Sequence, residues 1–201
     1  MGYFANAGNS WFAVVDGKAG KKYDDATTLV FSPNGKRAAY AACRGRNWLL
    51  VTDGEEGKEF DAVRSIVFSP DSKRVACAAQ HGHAWRVVVD GVEGAEYDGL
   101  RRGNGVLEIR RNAYAAINAN PEAVGIDDVL GDSAPVFSPD SVRVAYWARR
   151  GDQWRVIVDG AESKAYDGYL RGSHLAFVKP NLLRALAVRG SDAVRVEIEV
   201  K

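Results

Sequence analysis

Short apolar runs separated by turn residues recur along the chain. One unit reads SIVFS, the turn SPDS, then RVACAA, a polar loop containing glycine, and finally WRVVVDG. Proline sets the φ angle of a turn's second position, and Asp-Gly permits the positive φ angles of a two-residue hairpin turn. The runs are rich in β-branched and aromatic residues. The pattern therefore predicts four short antiparallel strands in each unit.

The unit repeats at a fixed interval. Two sets of anchor residues step by 37, 37 and then 69 residues. They are the tryptophans Trp11, Trp48, Trp85 and Trp154 and the Asp-Gly aspartates Asp16, Asp53, Asp90 and Asp159. The longest step leaves room either for a degenerate copy or for an insertion with a short helix, capped by Asn120 before Pro121. The expected repeats are 1–24 (partial), 28–61, 65–98, 103–131 (degenerate), 134–167 and 174–201 (partial).

The third run of each unit indicates how the units pack. In WRVVVD, Trp85, Val87 and Val89 alternate with Val88, so both faces of the predicted sheet are largely apolar. A sheet covered on both sides has this composition. Four strands in about 37 residues leave no room for a crossover helix, which argues against a parallel α/β fold.

Sheets that cover one another around an axis form a β-propeller. A linear β-solenoid is the alternative, but its repeats are usually shorter. We therefore predict an all-β chain with a single β-propeller domain over residues 1–201, built from four-stranded antiparallel blades. About five to six blades are expected, with incomplete terminal blades and one degenerate blade.

Three segments carry a resemblance to a known family. They read VFSPNGKRAAYAA, VFSPDSKRVACAA and VFSPDSVRVAYWA, and each is followed by a third run that ends in Asp-Gly. The chain thereby resembles the WD-repeat-like β-propellers of the TolB type over nearly its whole length. The resemblance implies the propeller fold. It implies no single activity, because that family includes periplasmic scaffold proteins and substrate-gating propellers attached to peptidases.

Composition and motifs narrow the classes of function. The net charge of +1 gives no general attraction to nucleic acid or membranes. The sequence contains no G-x-S-x-G, Walker, H-E-x-x-H or calcium-loop motif, so catalysis is not favoured. His81 and His83 are interpreted as part of a solvated loop, and neither a metal nor a cofactor is expected. MGYFANAG is not a signal peptide, so the cytoplasm is the default location, and the periplasm stays open if the chain is a fragment.

Some recurring residues allow both a structural and a functional interpretation. An aspartate follows an aromatic residue in four units, as Asp24, Asp61, Asp98 and Asp167. These carboxylates could form a ring of ligands, but we favour hydrogen bonds to the backbone where the fourth strand leaves its blade. The aligned tryptophans are interpreted as packing between blades. Cys43 and Cys77 are expected to be buried, reduced thiols.

Function is sought where the copies differ, in the loops on one face of the propeller. We call this face the loop rim: the turns between second and third strands, together with the beginnings of the first strands. Its predicted arginines are Arg44, Arg46, Arg64, Arg101, Arg102, Arg149, Arg150 and Arg171. The opposite face is expected to hold the Ser-Pro-Asp-Ser and Asp-Gly turns, with Glu55, Glu56, Glu93 and Glu162 among lysines.

Two classes of function follow. The favoured one is a non-catalytic scaffold that binds an acidic protein segment or another anionic ligand on the loop rim, since arginine suits carboxylate and phosphate. The alternative is an enzyme, or a gating domain of a hydrolase, with a site in a central funnel lined by first strands such as TLVFS. Nothing in the sequence indicates nucleic-acid binding or an oligomeric state.

Overall fold

The computed structural model describes residues 1–100, 135–169 and 174–201. This part of the chain consists of strands and turns without helix, and the strands form five antiparallel sheets, A to E. The predicted all-β propeller of four-stranded antiparallel blades is thereby confirmed, with about five blades.

The strands are grouped in chain order. Sheet A contains β1 (Gly2–Ala7), β2 (Ser10–Val15) and β3 (Lys18–Ala19). Sheet B contains β4 (Asp25–Phe31), β5 (Ala38–Arg44), β6 (Asn47–Thr52) and β7 (Glu55–Phe60). Sheet C contains β8 (Ala62–Phe68), β9 (Val75–His81), β10 (Ala84–Val89) and β11 (Val92–Glu93). Sheet D contains β12 (Val136–Phe137), β13 (Val144–Arg150), β14 (Gln153–Val158) and β15 (Ala161–Glu162), and sheet E contains β16 (Gly168–Tyr169), β17 (Ala176–Lys179), β18 (Leu182–Arg189) and β19 (Asp192–Glu199).

Three of the five sheets share one topology, and sheets A and E differ from it. In sheets B, C and D the first to fourth strands lie side by side in chain order. Sheet A is made of strands in the second, third and fourth positions. In sheet E, β16 and β17 both pair with β18 as two halves of a first strand, and β19 takes the third position.

The core lies between consecutive sheets. Four buried clusters join A to B, B to C, C to D and D to E. We call the side of a sheet that meets the next sheet its forward face, and the side that meets the preceding sheet its backward face. The second strands supply small buried side chains such as Ala39, Ala41 and Ala76, which let adjacent sheets approach closely.

The hairpin turns have the predicted geometry. The four Asp-Gly aspartates have φ angles between 49° and 54°, and the glycines that follow them have φ angles between 78° and 87°. Two positive φ angles in succession define a type I′ turn, which matches the twist of antiparallel strands. The Asp53 carboxylate also accepts a hydrogen bond from the Ala38 amide at 2.9 Å, so the turn is tied to the start of the second strand.

The first strands of sheets B and C each contain a bulge. The register of β4 on β5 shifts between Thr27 and Val30, and that of β8 on β9 shifts between Arg64 and Val67. Within these bulges Thr28 has a φ angle of 60° and Ser65 has a φ angle of 54°. Each bulge therefore carries a conformation that a β-branched or other non-glycine residue seldom adopts.

In sheet D, two described segments occupy the position of the first strand. Gly99 bridges to Arg149 of β13, and β12 pairs with the same strand further along. The degenerate repeat expected at 103–131 and the expected helix cap at Asn120 fall between these segments, outside the described residues.

Candidate functional site

The loop rim is fastened by a repeated aspartate contact, which we call the aspartate clamp. The Asp61 amide donates to the Gln80 carbonyl at 2.8 Å, and Asp61 Oδ2 accepts from the Gly82 amide at 2.5 Å. The same two bonds are made by Asp24 to Cys43 and Gly45, by Asp98 to Arg149 and Gly151, and by Asp167 to Val188 and Gly190. The predicted role of these carboxylates in accepting backbone hydrogen bonds is confirmed.

Each clamp joins two blades. The aspartate follows the fourth strand of one sheet, and the glycine lies in the turn between the second and third strands of the next. The four turn glycines have φ angles between 59° and 64°, a region that glycine occupies without a steric cost. The clamps thus hold the turns of the loop rim on a fixed frame.

Arg44 is held within the protein. Its guanidinium lies 5.7 Å from the Tyr23 ring centre, and Nη2 donates to Glu56 Oε1 at 2.9 Å. The Tyr23 hydroxyl donates to the same Glu56 oxygen at 2.9 Å. The hydrogen bonds from Arg44 and Tyr23 hold the pKa of Glu56 below its ordinary value. Desolvation, and then the bond to Glu56, raises the pKa of Tyr23.

Arg150 and Arg149 are held in similar ways. Arg150 lies 5.2 Å from the Tyr97 ring centre and pairs with Glu162 at 3.0 Å. Arg149 Nη1 donates to the Gly151 carbonyl at 2.7 Å. The charges of these arginines therefore serve contacts within the rim.

The position of two glutamates corrects an expectation from the sequence. Glu56 and Glu162 were expected on the face opposite the rim arginines, yet they form ion pairs with Arg44 and Arg150. Each glutamate lies on the fourth strand of its sheet, at the outer edge. From there its side chain reaches the arginine that ends the second strand of the same sheet.

Two predicted arginines have no carboxylate partner among residues 1–100, 135–169 and 174–201. Arg46 is exposed in the turn between β5 and β6, and its side chain forms no ion pair or hydrogen bond with another described residue. Arg64 is exposed on β8, with its guanidinium 5.9 Å from the Trp85 ring centre. The remaining predicted rim arginines lie outside the described residues: Arg101, Arg102 and Arg171.

Three of the aligned tryptophans pack between sheets, as predicted. Trp154 belongs to the cluster between D and E, and Trp48 and Trp85 pack against the clusters between B and C and between C and D. Trp11 is 37% exposed and pairs with Tyr23 at the edge of sheet A.

On the opposite face, an arginine network that the sequence did not reveal joins neighbouring sheets. Arg74 Nε donates to Asp90 Oδ2 at 2.9 Å within sheet C, and Nη1 donates to the carbonyls of Ser141 and Val142 in the turn between β12 and β13 of sheet D. The guanidinium also lies 5.4 Å from the Phe137 ring centre. Arg37 makes the same set of contacts from sheet B to sheet C. The available signal was the recurrence of arginine after each Ser-Pro turn, as Arg37, Arg74 and Arg143.

The funnel alternative requires converging chemical groups on the first strands. In their described residues the charged side chains are Asp25, Arg64 and Lys179, which belong to three different sheets. Nowhere in the described ranges do three or more His, Cys, Asp or Glu side chains gather in a group that could hold a metal ion. The same ranges contain no helix of the length and apolarity that crossing a membrane requires.

No protein-family model matches the chain, and no curated protein sequence matches it. Among solved structures, it is similar to the β-propeller domain of the Trilobed protease from Pyrococcus furiosus, with a TM-score of 0.48 and 9% identity over 93% of this chain and 61% of that one.

Two further solved structures give similar values. For TolB from Acinetobacter baumannii the TM-score is 0.43 and the identity 11%, over 95% of this chain and 49% of that one. For the Dos1 propeller they are 0.44 and 9%, over 100% of this chain and 55% of that one. The chain thus spans about half to three fifths of these solved chains. With its successive packed antiparallel sheets, the chain is a β-propeller.

Proposed function

We propose that this β-propeller is a non-catalytic binding scaffold of the WD-repeat-like, TolB type, which takes an acidic protein segment or another anion on the loop rim. The observation that carries the proposal is the free charge of Arg46 and Arg64. Both guanidiniums are exposed and lack a carboxylate partner among the described residues, whereas Arg44 and Arg150 are paired. An unpaired exposed guanidinium can offer a fork of donors to a carboxylate or phosphate.

The frame beneath these arginines supports a binding role. The aspartate clamps fix the turns of the rim, and the Trp85 ring lies beside the Arg64 guanidinium. Binding loops on a rigid scaffold lose little conformational entropy when a ligand binds. Arg46 and Arg64 are therefore the described residues on which the proposal rests, and Arg101, Arg102 and Arg171 remain part of the proposed rim.

The test is a charge reversal with a matched control. The variant Arg46→Glu/Arg64→Glu is compared with Lys36→Glu/Lys73→Glu, which makes the same change in net charge at exposed lysines of the opposite face. The probe is a fluorescently labelled polyglutamate peptide, and binding is measured by anisotropy at low salt. We expect the rim variant to weaken binding by about tenfold, since each reversed contact changes the interaction energy by a fraction of a kcal/mol to about 1 kcal/mol.

A second arm covers the rest of the rim. Arg101→Glu/Arg102→Glu/Arg171→Glu is measured with the same peptide and is expected to weaken its binding as well. Equal binding by the wild type, both rim variants and the lysine control would refute the proposal. Thermal unfolding of each variant shows whether a loss of binding comes from a loss of folding.

A further inference from the structure

Sheet A has an open strand edge among the described residues. In sheets B to E, the strand in the second position pairs on one side with a first strand and on the other side with a third strand. β1 occupies the second position in sheet A and pairs with β2, and no other described strand pairs with it. The backbone edge of β1 that faces away from β2 therefore resembles the edges that β5 and β9 use to bind β4 and β8.

The groups that would receive an aspartate clamp are present in sheet A. Asn6 stands where Cys43 stands in sheet B, at the end of the second strand, and Gly8 stands where Gly45 stands in the turn. Gly8 has a φ angle of 69°, close to the 64° of Gly45, so the turn has the same shape. The described part of the chain supplies no aspartate to the Asn6 carbonyl or the Gly8 amide.

The edge of β1 also lacks the usual protection of an edge strand. Its sequence GYFANA contains no charge and no proline. By contrast, the outer strand β7 reads EEGKEF and β19 reads DAVRVEIE, while β3, β11 and β15 are only two residues long. Charge and short length are the means by which proteins prevent an edge from pairing. Among the described edges, β1 is thus the one best suited to accept a strand.

The backward face of sheet A also resembles a face against which another sheet packs. Tyr3 is 57% exposed there, whereas Tyr40 at the same position of sheet B is 4% exposed beneath sheet A. Sheet E is poorly suited to pack against the backward face of sheet A. At forward positions where sheet C has Ala76 and Val89, sheet E has the ion-paired Arg184 and Glu197. Burying these charges against an apolar face would be costly.

The four interfaces between consecutive sheets indicate which kind of segment would fit the open edge of β1. In all four, the incoming segment begins with an aromatic residue and an aspartate. In sheets B and C it continues as an uninterrupted, largely apolar first strand, as in residues 60–69, FDAVRSIVFS. We propose that β1 is an acceptor edge for an extended segment of a partner polypeptide with this chemistry. The aspartate would clamp the Asn6 carbonyl and the Gly8 amide, and the apolar strand would pair with β1 to complete sheet A. This strand-addition site is separate from the arginines of the loop rim.

The test uses the full chain and a labelled synthetic peptide with the sequence FDAVRSIVFS. We expect saturable binding in fluorescence anisotropy, together with slower hydrogen exchange at the amides of Gly2, Phe4, Asn6 and Gly8. A control peptide with alanine in place of the aspartate should bind about tenfold more weakly, because it loses a charge-assisted hydrogen bond. The variant Asn6→Pro removes an amide on the open edge and should abolish binding.

The Asn6→Pro prediction depends on the direction of the backbone. In sheet B, the carbonyl of the equivalent Cys43 accepts from the Asp24 amide, so this residue turns its backbone toward the first strand and away from the third. Proline at position 6 should therefore leave the pairing of β1 with β2 intact, which circular dichroism and thermal unfolding would verify. Where that variant fails to fold, exchange protection in the wild type decides the matter.

Several results would overturn the proposal. They are equal binding of the aspartate and alanine peptides, peptide binding without protection of β1, and self-association of the chain through β1 that the peptide does not displace. The last result would mean that a second copy of the chain occupies the edge. Binding of the neutral probe peptide should be unchanged in the Arg46→Glu/Arg64→Glu variant, so the two proposals can fail independently.

Discussion

Arg74 offers the sharpest test of how the blades are held together. Its guanidinium contacts Asp90 at 2.9 Å, the carbonyls of Ser141 and Val142 at 3.2 and 2.6 Å, and the face of the Phe137 ring at 5.4 Å. One side chain thus joins a turn of sheet C to a turn of sheet D. The variant Arg74→Ala removes all four contacts.

The loss in the free energy of unfolding caused by Arg74→Ala follows from these four contacts. The ion pair is partly exposed, with side chains that are 33% and 42% accessible, and contributes about 0.5 kcal/mol. Each hydrogen bond to a carbonyl contributes about 1 kcal/mol at this exposure, and the cation–π contact contributes about 0.5 kcal/mol. We expect the free energy of unfolding to fall by about 2–3 kcal/mol. For a chain of this length, that is a decrease in Tm of about 4–12 °C.

The assay is urea unfolding followed by tryptophan fluorescence, with Arg46→Ala as the control. Arg46 is exposed and makes no side-chain hydrogen bond to a described residue, so its removal should change stability by less than about 0.5 kcal/mol. Arg74→Lys keeps the charge but loses the planar fork, and it should fall between the two. If Arg74→Ala were as stable as Arg46→Ala, the argument that this network fastens the blades would be wrong.

Three further predictions concern single residues. Asp61→Ala removes the carboxylate that accepts from Gly82, and should lower the free energy of unfolding by about 1 kcal/mol in the same urea assay, whereas Asp61→Asn should retain part of it. Gly54→Ala places a side chain at a φ angle of 87°, and should cost about 1–2 kcal/mol although no atom lies within 4 Å of the new Cβ; an unchanged urea midpoint would contradict this. Burial raises the pKa of Cys77 from 9.0 to about 12, so the thiol should resist Ellman's reagent in the folded state. Because the unfolded chain releases this proton first, stability should decline as pH rises from 9.0 toward 12, and Cys77→Ala should reduce that decline.

Local turn chemistry is the part of the fold that the sequence predicts well. The Asp-Gly pair and the Ser-Pro-Asp turn act through neighbouring residues, so their recurrence predicted both the hairpins and the repeated sheets. The sequence also contains a signal for the one-sided character of sheet E. DAVRVEIE alternates apolar and charged residues from Val194 to Glu199, which is typical of a sheet with one solvated face, as sheet E has.

Contacts between sheets were harder to predict. The partners of Arg74 lie 67 and 68 residues away along the chain, and their meeting depends on how sheets C and D pack. The sequence does not predict the ion pair of Arg44 with Glu56. The Asp-Gly turn next to Glu56 belongs to the face opposite the loop rim, but the glutamate side chain extends toward the rim. Charge counts along loops therefore overstated how many rim arginines are free.

The bulge in the first strands has a consequence for protein engineering. Ser65 takes a φ angle of 54° where the register of β8 on β9 shifts between Arg64 and Val67, and the pairing of the two strands resumes at Val67. The hydrogen-bonded pairing of β8 with β9 is therefore already interrupted at this point, and the residues on either side keep their partners. A reporter tag or a foreign epitope spliced between Arg64 and Ser65 should be tolerated far better than one placed within the uninterrupted pairing of β9.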